Sequence, residues 1–376
     1  MAANGCRWPR ATESGCRWPR LTENGASHLR RKGDAMAVTA KMIAEQLNLS
    51  EAAVSMALNG KPGVSAKTRK RVVEIARQLG FDFGRLKSTR MRREADELAL
   101  LTYSRRSFFG SAFFDEVRDG IRETARQAET RVRFVEYDAS TYAPGSPLDV
   151  VPVGCEGLIV MATEMQDADF RLFDGVDVPT VFLDNPWAPQ DYDSVSIENY
   201  PGAYAAAGYL LSKYHEVPGH LRASSDLINF ELRRIGLGQS VRGYGGAAVG
   251  VSEVRLPASV DGAYEEMLGY LDAGGEVRRS YFADNDDIAM GAMRAFRERG
   301  LRVPLDVAVV GFDNVRYAPF TDPPLTTVDV PKFYMGQVAV ERLLTMIESG
   351  RAPVEGLQMR PVHISVNTRL IVRKSA

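Results

Sequence analysis

The sequence predicts a small all-α module at residues 36–84, followed by a larger α/β domain with parallel sheets at residues 98–376. Segment 39–58, TAKMIAEQLNLSEAAVSMAL, repeats apolar residues at three- and four-residue spacing, which is typical of amphipathic helices. From Leu98 onward, short apolar runs alternate with amphipathic stretches. That alternation is typical of parallel strands covered by helices.

Composition and charge limit the classes of protein to consider. The chain has 376 residues, 45% hydrophobic and 25% charged, enough for a small module plus one or two full domains. Residues 1–96 contain 19 Lys and Arg against 9 Asp and Glu, whereas the remainder contains 28 against 39. The basic first part is therefore the part expected to contact phosphates.

Cysteine and histidine usage predicts neither a disulfide framework nor a metal site. The cysteines Cys6, Cys16 and Cys155 are few and scattered, and the four histidines lack ligand spacing. We therefore expect a reducing cytoplasm, no metal and no cofactor. No apolar run reaches the roughly 18 residues that a membrane span requires, so no membrane partner is expected.

Residues 1–35 contain the internal repeat GCRWPRATE and GCRWPRLTE, without helical or strand periodicity. We predict a disordered N-terminal extension. It is either an extra DNA-contacting arm or an upstream extension ahead of a natural start at Met36.

Segment 39–58 is predicted to form two short helices joined by a tight turn, a helix-turn-helix. Thr39 and Ser50 stand where an N-cap belongs, because their hydroxyl oxygens can accept from the first free amides of each helix. Asn48 lies at the turn, where a left-handed backbone is needed. The apolar spacing leaves one face outside the predicted core, consisting of Glu51, Ala52, Ser55 and Met56.

A lone helical pair is also compatible with ordinary core packing. The following segment, AKTRKRVVEIARQL, predicts a third helix capped by Ser65 that combines an apolar stripe with a basic surface. The whole stretch VTAKMIAEQLNLSEAAVSMALNGKPGVSAKTRKRVVEIARQLGF resembles the headpiece of the LacI/GalR (lactose/galactose repressor) family. The resemblance implies a homodimeric regulator that binds double-stranded operator DNA and responds to a small-molecule effector.

Residues 85–97 are predicted to be a basic hinge or linker. In the resembled family this segment starts with Pro-Asn and inserts a leucine into the minor groove. Here Phe83 and Gly84 replace the expected start, and Arg90 stands at the leucine position. The predicted DNA-contacting residues are Thr39, Ser50, Glu51, Ala52, Ser55, Met56, Asn59, Lys70, Arg85 and Arg90.

The second part resembles the effector domain of the same family in YFADNDDIAMGAMRAFRERGLRVPLDVAVVGFDN and DPPLTTVDVPKFYMGQVAVERLL. This resemblance implies a periplasmic-binding-protein-like clamp of two α/β lobes, with chain crossings near Ser196, Pro304 and Val328. Ligands of such sheets bind beyond the carboxyl ends of the strands.

Three acidic residues stand at predicted strand ends: Asp184 after TVFL, Asp286 after SYFADN and Asp313 after VAVVGF. Carboxylates there can accept from sugar hydroxyls, but a strand-end Asp is also a frequent helix cap. Asp184, Arg233 and Asp286 match positions that contact effector in the resembled family. Candidate aromatic contacts are Phe108, Phe109 and Trp187, and Phe109 is alternatively a core residue.

Catalytic motifs are missing from the sequence, which contains no Gly-x-Ser-x-Gly elbow and no phosphate loop ending in Gly-Lys-Ser/Thr. Gly236 and Gly238 begin a pattern like a dinucleotide fingerprint, but the third glycine is absent, and a turn is expected there. We therefore predict a DNA-binding regulator that is not an enzyme, a repressor with a sugar as its first candidate effector. The alternative is a solute-binding receptor of the same lobe fold.

Overall fold

The computed structural model describes residues 39–58, 97–105, 112–140, 154–245, 250–351 and 360–376, with Val64, Ser65, Thr68, 71–72, 74–76, Leu79 and Phe81. The chain divides into two compact units, Met1–Met91 and Arg92–Ala376. The extension at 1–35, most of the linker and six predicted contact residues lie outside the described residues. Those six are Asn59, Lys70, Arg85, Arg90, Phe108 and Phe109.

The first unit contains the predicted helical pair, α1 (Ala40–Leu47) and α2 (Glu51–Leu58). Thr39 Oγ1 accepts from the amide of Met42 at 3.4 Å, and Ser50 Oγ accepts from that of Ala53 at 3.2 Å. Asn48 ends α1 in the left-handed conformation, with φ 53° and ψ 47°. Both caps and the turn are thus as the sequence predicts.

A small apolar core holds this unit together. Ile43 and Ala44 of α1 and Val54 and Ala57 of α2 are buried, and they form one cluster with residues of a third helical segment. In that segment residues 71–72 and 74–76 are helical, and the Ser65 hydroxyl accepts from the amide of Thr68 at 3.1 Å. Ser65 therefore caps the third segment, as expected.

The second unit alternates strands and helices. Its elements, in chain order, are β1 (Glu97–Ser104), α3 (Ala112–Gln127), β2 (Arg131–Asp138), β3 (Gly157–Met161), β4 (Thr180–Leu183), β5 (Asp193–Ile197), α4 (Asn199–Tyr214), β6 (Gly219–Ala223), α5 (Ile228–Gly245), β7 (Glu253–Leu256), α6 (Val260–Asp272), β8 (Ser280–Ala283), α7 (Asp286–Glu298), β9 (Ala308–Asp313), β10 (Thr326–Asp329), α8 (Lys332–Arg351), β11 (His363–Val366) and β12 (Arg369–Ile371). Two 3₁₀ turns, Asp169–Phe173 and Ala318–Phe320, complete the described elements.

Two six-stranded sheets form the two lobes. The first has the order β11-β5-β4-β3-β1-β2 and is parallel throughout. The second has the order β12-β10-β9-β8-β6-β7 and is parallel except for β12, which pairs antiparallel with β10. Each sheet is covered by helices and has its own buried apolar residues, so the predicted two-lobed α/β class is confirmed.

The chain crosses between the sheets three times. Two crossings, after β5 and after β10, lie close to the expected positions at Ser196 and Val328. The crossing expected near Pro304 is wrong, because β8 and β9 on either side of it are neighbours in one sheet. The third crossing lies instead between Val366 and Arg369, where a short C-terminal segment supplies one edge strand to each sheet.

Helices α3 and α8 cross at two glycines. A Cβ atom on Gly120 of α3 would collide with the carbonyl oxygen of Phe333, and one on Gly336 of α8 would collide with that of Val117. The two backbones therefore touch without intervening side chains. Gly236 allows a similar approach to Tyr200, and because it lies within α5, the turn expected at Gly236 and Gly238 is wrong.

None of the helices in the described part of the chain combines the length and the apolar character that a membrane crossing needs.

Candidate functional site

The exposed face of α2 is the first candidate surface. Glu51, Ala52 and Ser55 are exposed and Met56 is partly exposed, whereas Val54 on the opposite face is fully buried. A carboxylate can accept from a cytosine amine, a hydroxyl can bond to a base or a phosphate, and apolar groups can contact thymine methyls. This face has the chemistry for reading base edges in a major groove.

The capping residues lie at the ends of the same two helices. Thr39 and Ser50 are exposed and use their oxygens as acceptors within the protein. A hydroxyl that accepts in this way can still donate its own hydrogen to a phosphate. Thr39 and Ser50 can therefore position a duplex while they cap the helices.

The second candidate site is a cleft between the lobes, at the carboxyl ends of strands from both sheets. An inner chamber of about 30 Å³ lies beside an outer chamber of about 510 Å³. The inner chamber is lined by Phe113, Phe114, Thr163, Asp184, Leu227, Asn229, Phe230, Arg233, Asn285, Asp287, Asp313 and Val315. The outer chamber is lined by Met165, Gln166, Asp167, Ala168, Asn185, Trp187, Arg222, Ser225, Asp226, Leu227, Ile228, Phe230 and Glu231.

Asp184 follows β4 and lines the inner chamber. Its side chain is buried, and its Oδ2 accepts from the Thr163 hydroxyl at 2.8 Å, whereas no described group hydrogen-bonds to Oδ1. Burial raises the pKa of Asp184 to about 7, and the Asp313 carboxylate adds to the rise against the opposing Arg233. Asp184 therefore offers a buried, unused acceptor atom to the chamber.

Arg233 on α5 is held from three directions. Its Nε donates to Asn199 Oδ1 at 2.8 Å, Nη1 donates to the Asp284 carbonyl oxygen, and Nη2 forms an ion pair with Asp313 Oδ1 at 3.2 Å. The guanidinium also lies over the Phe312 ring, 3.7 Å from its centroid. Arg233 thus forms an ion pair with Asp313 that offsets part of the carboxylate's charge.

The chamber contains a third carboxylate, Asp287, in the first turn of α7. Burial and repulsion from Asp313 raise the pKa of Asp287 to about 6. The pKa of Asp313 is itself raised, first by burial, although Arg233 and Lys332 act in the opposite direction. Three carboxylates and one guanidinium therefore line the inner chamber.

Asp286, predicted to contact effector, lies in the core instead. Its Oδ1 accepts from the Thr327 hydroxyl at 2.5 Å and its Oδ2 from the Val315 amide at 2.8 Å, so both oxygens are used within the second lobe. Burial, then repulsion from Asp313, raises its pKa well above the usual range. Asp287, and not Asp286, therefore lines the chamber, and contact between Asp286 and the effector stays a prediction.

Of the remaining predicted residues, Asp184, Arg233 and Asp313 meet in the inner chamber, and Trp187 lies in the outer chamber with 57% of its surface exposed. The sequence interpretation missed Phe113 and Phe114, which begin α3. It also missed Asn285, which caps α7 through the amide of Ile288 at 2.9 Å. The N-cap signal at Asn285 was present in the sequence, but periodicity alone does not show which neighbour faces a cleft.

Together the two units define a class of protein: a DNA-binding transcriptional regulator that responds to a small molecule. Residues 39–82 match the model for bacterial regulatory proteins of the lacI family, and residues 207–376 match that for a periplasmic binding protein-like domain. The transcriptional regulator MalR of Streptomyces coelicolor is 30% identical over 325 residues, 83% of this chain and 90% of MalR. The chain therefore belongs to the lacI family of bacterial regulatory proteins.

Other known proteins agree with this membership. The transcriptional repressor CytR of Escherichia coli is 25% identical over 345 residues, covering 91% of this chain and 96% of CytR. The lac repressor dimer bound to operator and the anti-inducer ONPF has a TM-score of 0.64 at 24% identity, covering 90% and 99% of the two chains. The CelR–cellobiose complex has a TM-score of 0.63 at 23% identity, covering 90% and 100%. The two structural likenesses show the shared fold.

Proposed function

We propose that this chain is a homodimeric repressor that reads its operator with the exposed face of α2, and that a small molecule bound between the lobes controls its DNA affinity. The single observation that carries this proposal is a capped α2 whose polar and small side chains lie outside a closed core. The same chain also contains a cleft between two lobes that is lined by carboxylates, a guanidinium and aromatic rings. A solute-binding receptor of the same fold has no use for the α1–α2 unit.

A sugar is the first candidate effector. The inner chamber supplies carboxylate and amide acceptors, and aromatic rings lie beside them, which is the chemistry that recognises ring hydroxyls and the C–H face of a sugar. CelR is described in complex with cellobiose, which gives a starting ligand for screening. The effector is proposed to be bound and released unchanged, so the protein acts as a regulator and not as an enzyme.

Two-fold symmetry is proposed because a single small module supplies too few base contacts for both affinity and specificity. Because its proposed target is operator DNA, we expect the protein to act in the cytoplasm. The coupling between effector and operator is expected to lie in the usual range of about 1 to 3 kcal/mol, or roughly 5- to 150-fold in affinity.

The test is a fluorescence-anisotropy titration of the full chain against DNA from beside its own gene, with a shuffled duplex of equal length as control. We expect tight binding to the first DNA only, with log affinity falling by about 0.9 per neutralised phosphate for each tenfold rise in salt. Addition of a candidate sugar should then change the apparent affinity for the first DNA in the same titration. Equal affinity for both duplexes at every salt concentration would contradict the proposal.

A further inference from the structure

We propose that the effector carries an ammonium group, which assigns it to the amino sugars and related polyhydroxylated amines. This inference rests on the proposed function, because it assumes that the cleft between the lobes is the effector site. It goes further by naming the chemical class of the ligand.

The charges that line the cleft support this assignment. Among the described lining residues the only cations are Arg222 and Arg233, and both already have carboxylate partners. Arg233 pairs with Asp313 at 3.2 Å, and Arg222 pairs with Glu253 at 3.0 Å. An anionic ligand would therefore find no free positive charge on these residues.

Two carboxylates of the inner chamber, Asp184 and Asp287, form no ion pair within the described part of the chain. Asp184 is only 3% exposed, and its Oδ1 has no hydrogen-bond partner among the described residues. Asp287 lines the same chamber and forms no hydrogen bond or ion pair within the described part of the chain. A buried carboxylate without a partner is costly, and an ammonium group can donate three hydrogen bonds to such acceptors.

The raised pKa values of these two carboxyl groups are consistent with a cationic ligand. Burial is the main reason why the pKa of Asp184 lies near 7 and that of Asp287 near 6. A positively charged ligand within about 4–6 Å would favour the ionised forms and lower both values. A cationic ligand would therefore be favoured over a neutral one beside these two carboxylates.

The outer chamber fits the rest of such a ligand. Its volume of about 510 Å³ lies within the range of small-molecule sites. Ser225 presents a buried hydroxyl oxygen that has no hydrogen-bond partner among the described residues. Asp167 and Asp226 add exposed carboxylates, while Phe230 supplies an aromatic face shared by both chambers. Hydroxyl groups on an amine-bearing ring would satisfy these groups.

The experiment compares ligands that share a skeleton and differ in charge. Isothermal titration calorimetry of the full chain would use glucosamine, galactosamine, mannosamine and the β-1,4-linked glucosamine disaccharide. Each amine is matched with its N-acetyl form and its neutral parent sugar, and glucose 6-phosphate serves as the anionic probe. We expect at least one amine to bind about tenfold or more tightly than both of its matched neutral forms, and the phosphate ester not to bind.

Asp287→Asn tests the residue that carries the assignment, and Asp261→Asn is its matched control. Asp261 occupies the same second position of a helix, in α6, but 86% of its side chain is exposed. Asp287→Asn should remove most of the preference for the amine over its N-acetyl form, and Asp261→Asn should leave that preference unchanged.

Three results would overturn the inference: tighter binding of a neutral parent or the phosphate ester, an unaltered preference in Asp287→Asn, or no binding by any amine of the panel. Operator binding is measured separately on the same preparations. Loss of operator binding with amine selectivity intact would contradict the proposed function alone, whereas operator release by a neutral sugar would contradict the inference alone.

Discussion

The face of α2 exposes its polar groups to solvent, whereas the cleft between the lobes buries them. On α2 the candidate contacts are exposed, or partly exposed in the case of Met56, and they lie outside a core of a few small residues. In the cleft, Asp184, Arg233 and Asp313 are each less than 10% exposed and depend on one another for charge balance. Substitutions should therefore have large effects on stability in the cleft and small, sequence-selective effects on α2.

The largest effect is expected for Arg233→Met. This change leaves Asp313 buried without its ion-pair partner, and removing one member of a buried pair costs about 3–5 kcal/mol. Arg234→Met is the control, because the neighbouring Arg234 is 39% exposed and pairs with Glu231 at a partly exposed site. Urea unfolding should show a change of about 1 kcal/mol or less for the control. Equal losses in both variants would contradict the view that charge balance holds the cleft together.

Ile43→Ala should cost about 2–4 kcal/mol in the helical unit, because Ile43 is fully buried in its small core. Operator affinity should fall in anisotropy titrations, while ligand binding measured by calorimetry stays unchanged. Met42→Ala, at a side chain that is 36% exposed, serves as the control. A parallel loss of ligand affinity in Ile43→Ala would show that the helical unit and the cleft are not independent.

Asp184→Asn should change how stability depends on pH. The pKa of Asp184 is about 7 in the folded chain against 3.8 for the free side chain, so the folded state retains a proton that the unfolded chain loses. Wild-type stability should therefore fall as pH rises from about 4 to about 7, and this contribution disappears in the variant. Asn tolerates the φ of 64° at this position.

Thermal unfolding at pH 4 and pH 8 measures this effect. Between pH 4 and pH 8, the free energy of unfolding of Asp184→Asn relative to wild type should rise by up to about 4 kcal/mol. Asp167→Asn, at an exposed residue of the same cleft, should give no such difference. Identical pH profiles for wild type and Asp184→Asn would show that Asp184 does not cause the pH dependence of stability.

The smallest effect is expected on α2. Met56→Ala should change preference at one or two base pairs by about 1 kcal/mol or less, because the side chain offers only apolar contact to base edges. Gln46→Ala, exposed on α1, should not change the preference at any position. Competition titrations against single-substituted operators measure both. Unchanged selectivity in Met56→Ala would show that this side chain does not contact base edges in the groove.

The same contrast explains how far the sequence could predict the molecule. The caps at Thr39 and Ser50 and the left-handed Asn48 depend on neighbours within a few residues, and all three follow from local rules. The alternation of strands and helices likewise predicted both lobes. The cleft depends on residues far apart in the chain, since Arg233 bonds to Asn199 and Asp284.

The neighbours Asp286 and Asp287 show what the spacing of residues along the chain leaves undecided. Asp286 and Asp287 are adjacent on a helix, where each step turns the side chain by about 100°, so one faces the core and the other the cleft. The position after a strand predicts that Asp286 and Asp287 lie near the cleft, but it does not show which of the two side chains faces it. The crossing placed at Pro304 failed for a similar reason, because which sheet a strand joins is set by tertiary packing.

The contact between α3 and α8 at Gly120 and Gly336 has a mechanical consequence. With backbone against backbone, a slide of one helix along the other would bring side chains next to the glycines into steric collision, so we expect the two helices to move together. Phe113 and Phe114 at one end of α3 line the inner chamber. An occupant that displaced these rings would therefore be expected to shift both helices, and an alanine at Gly120 would force the two helices apart.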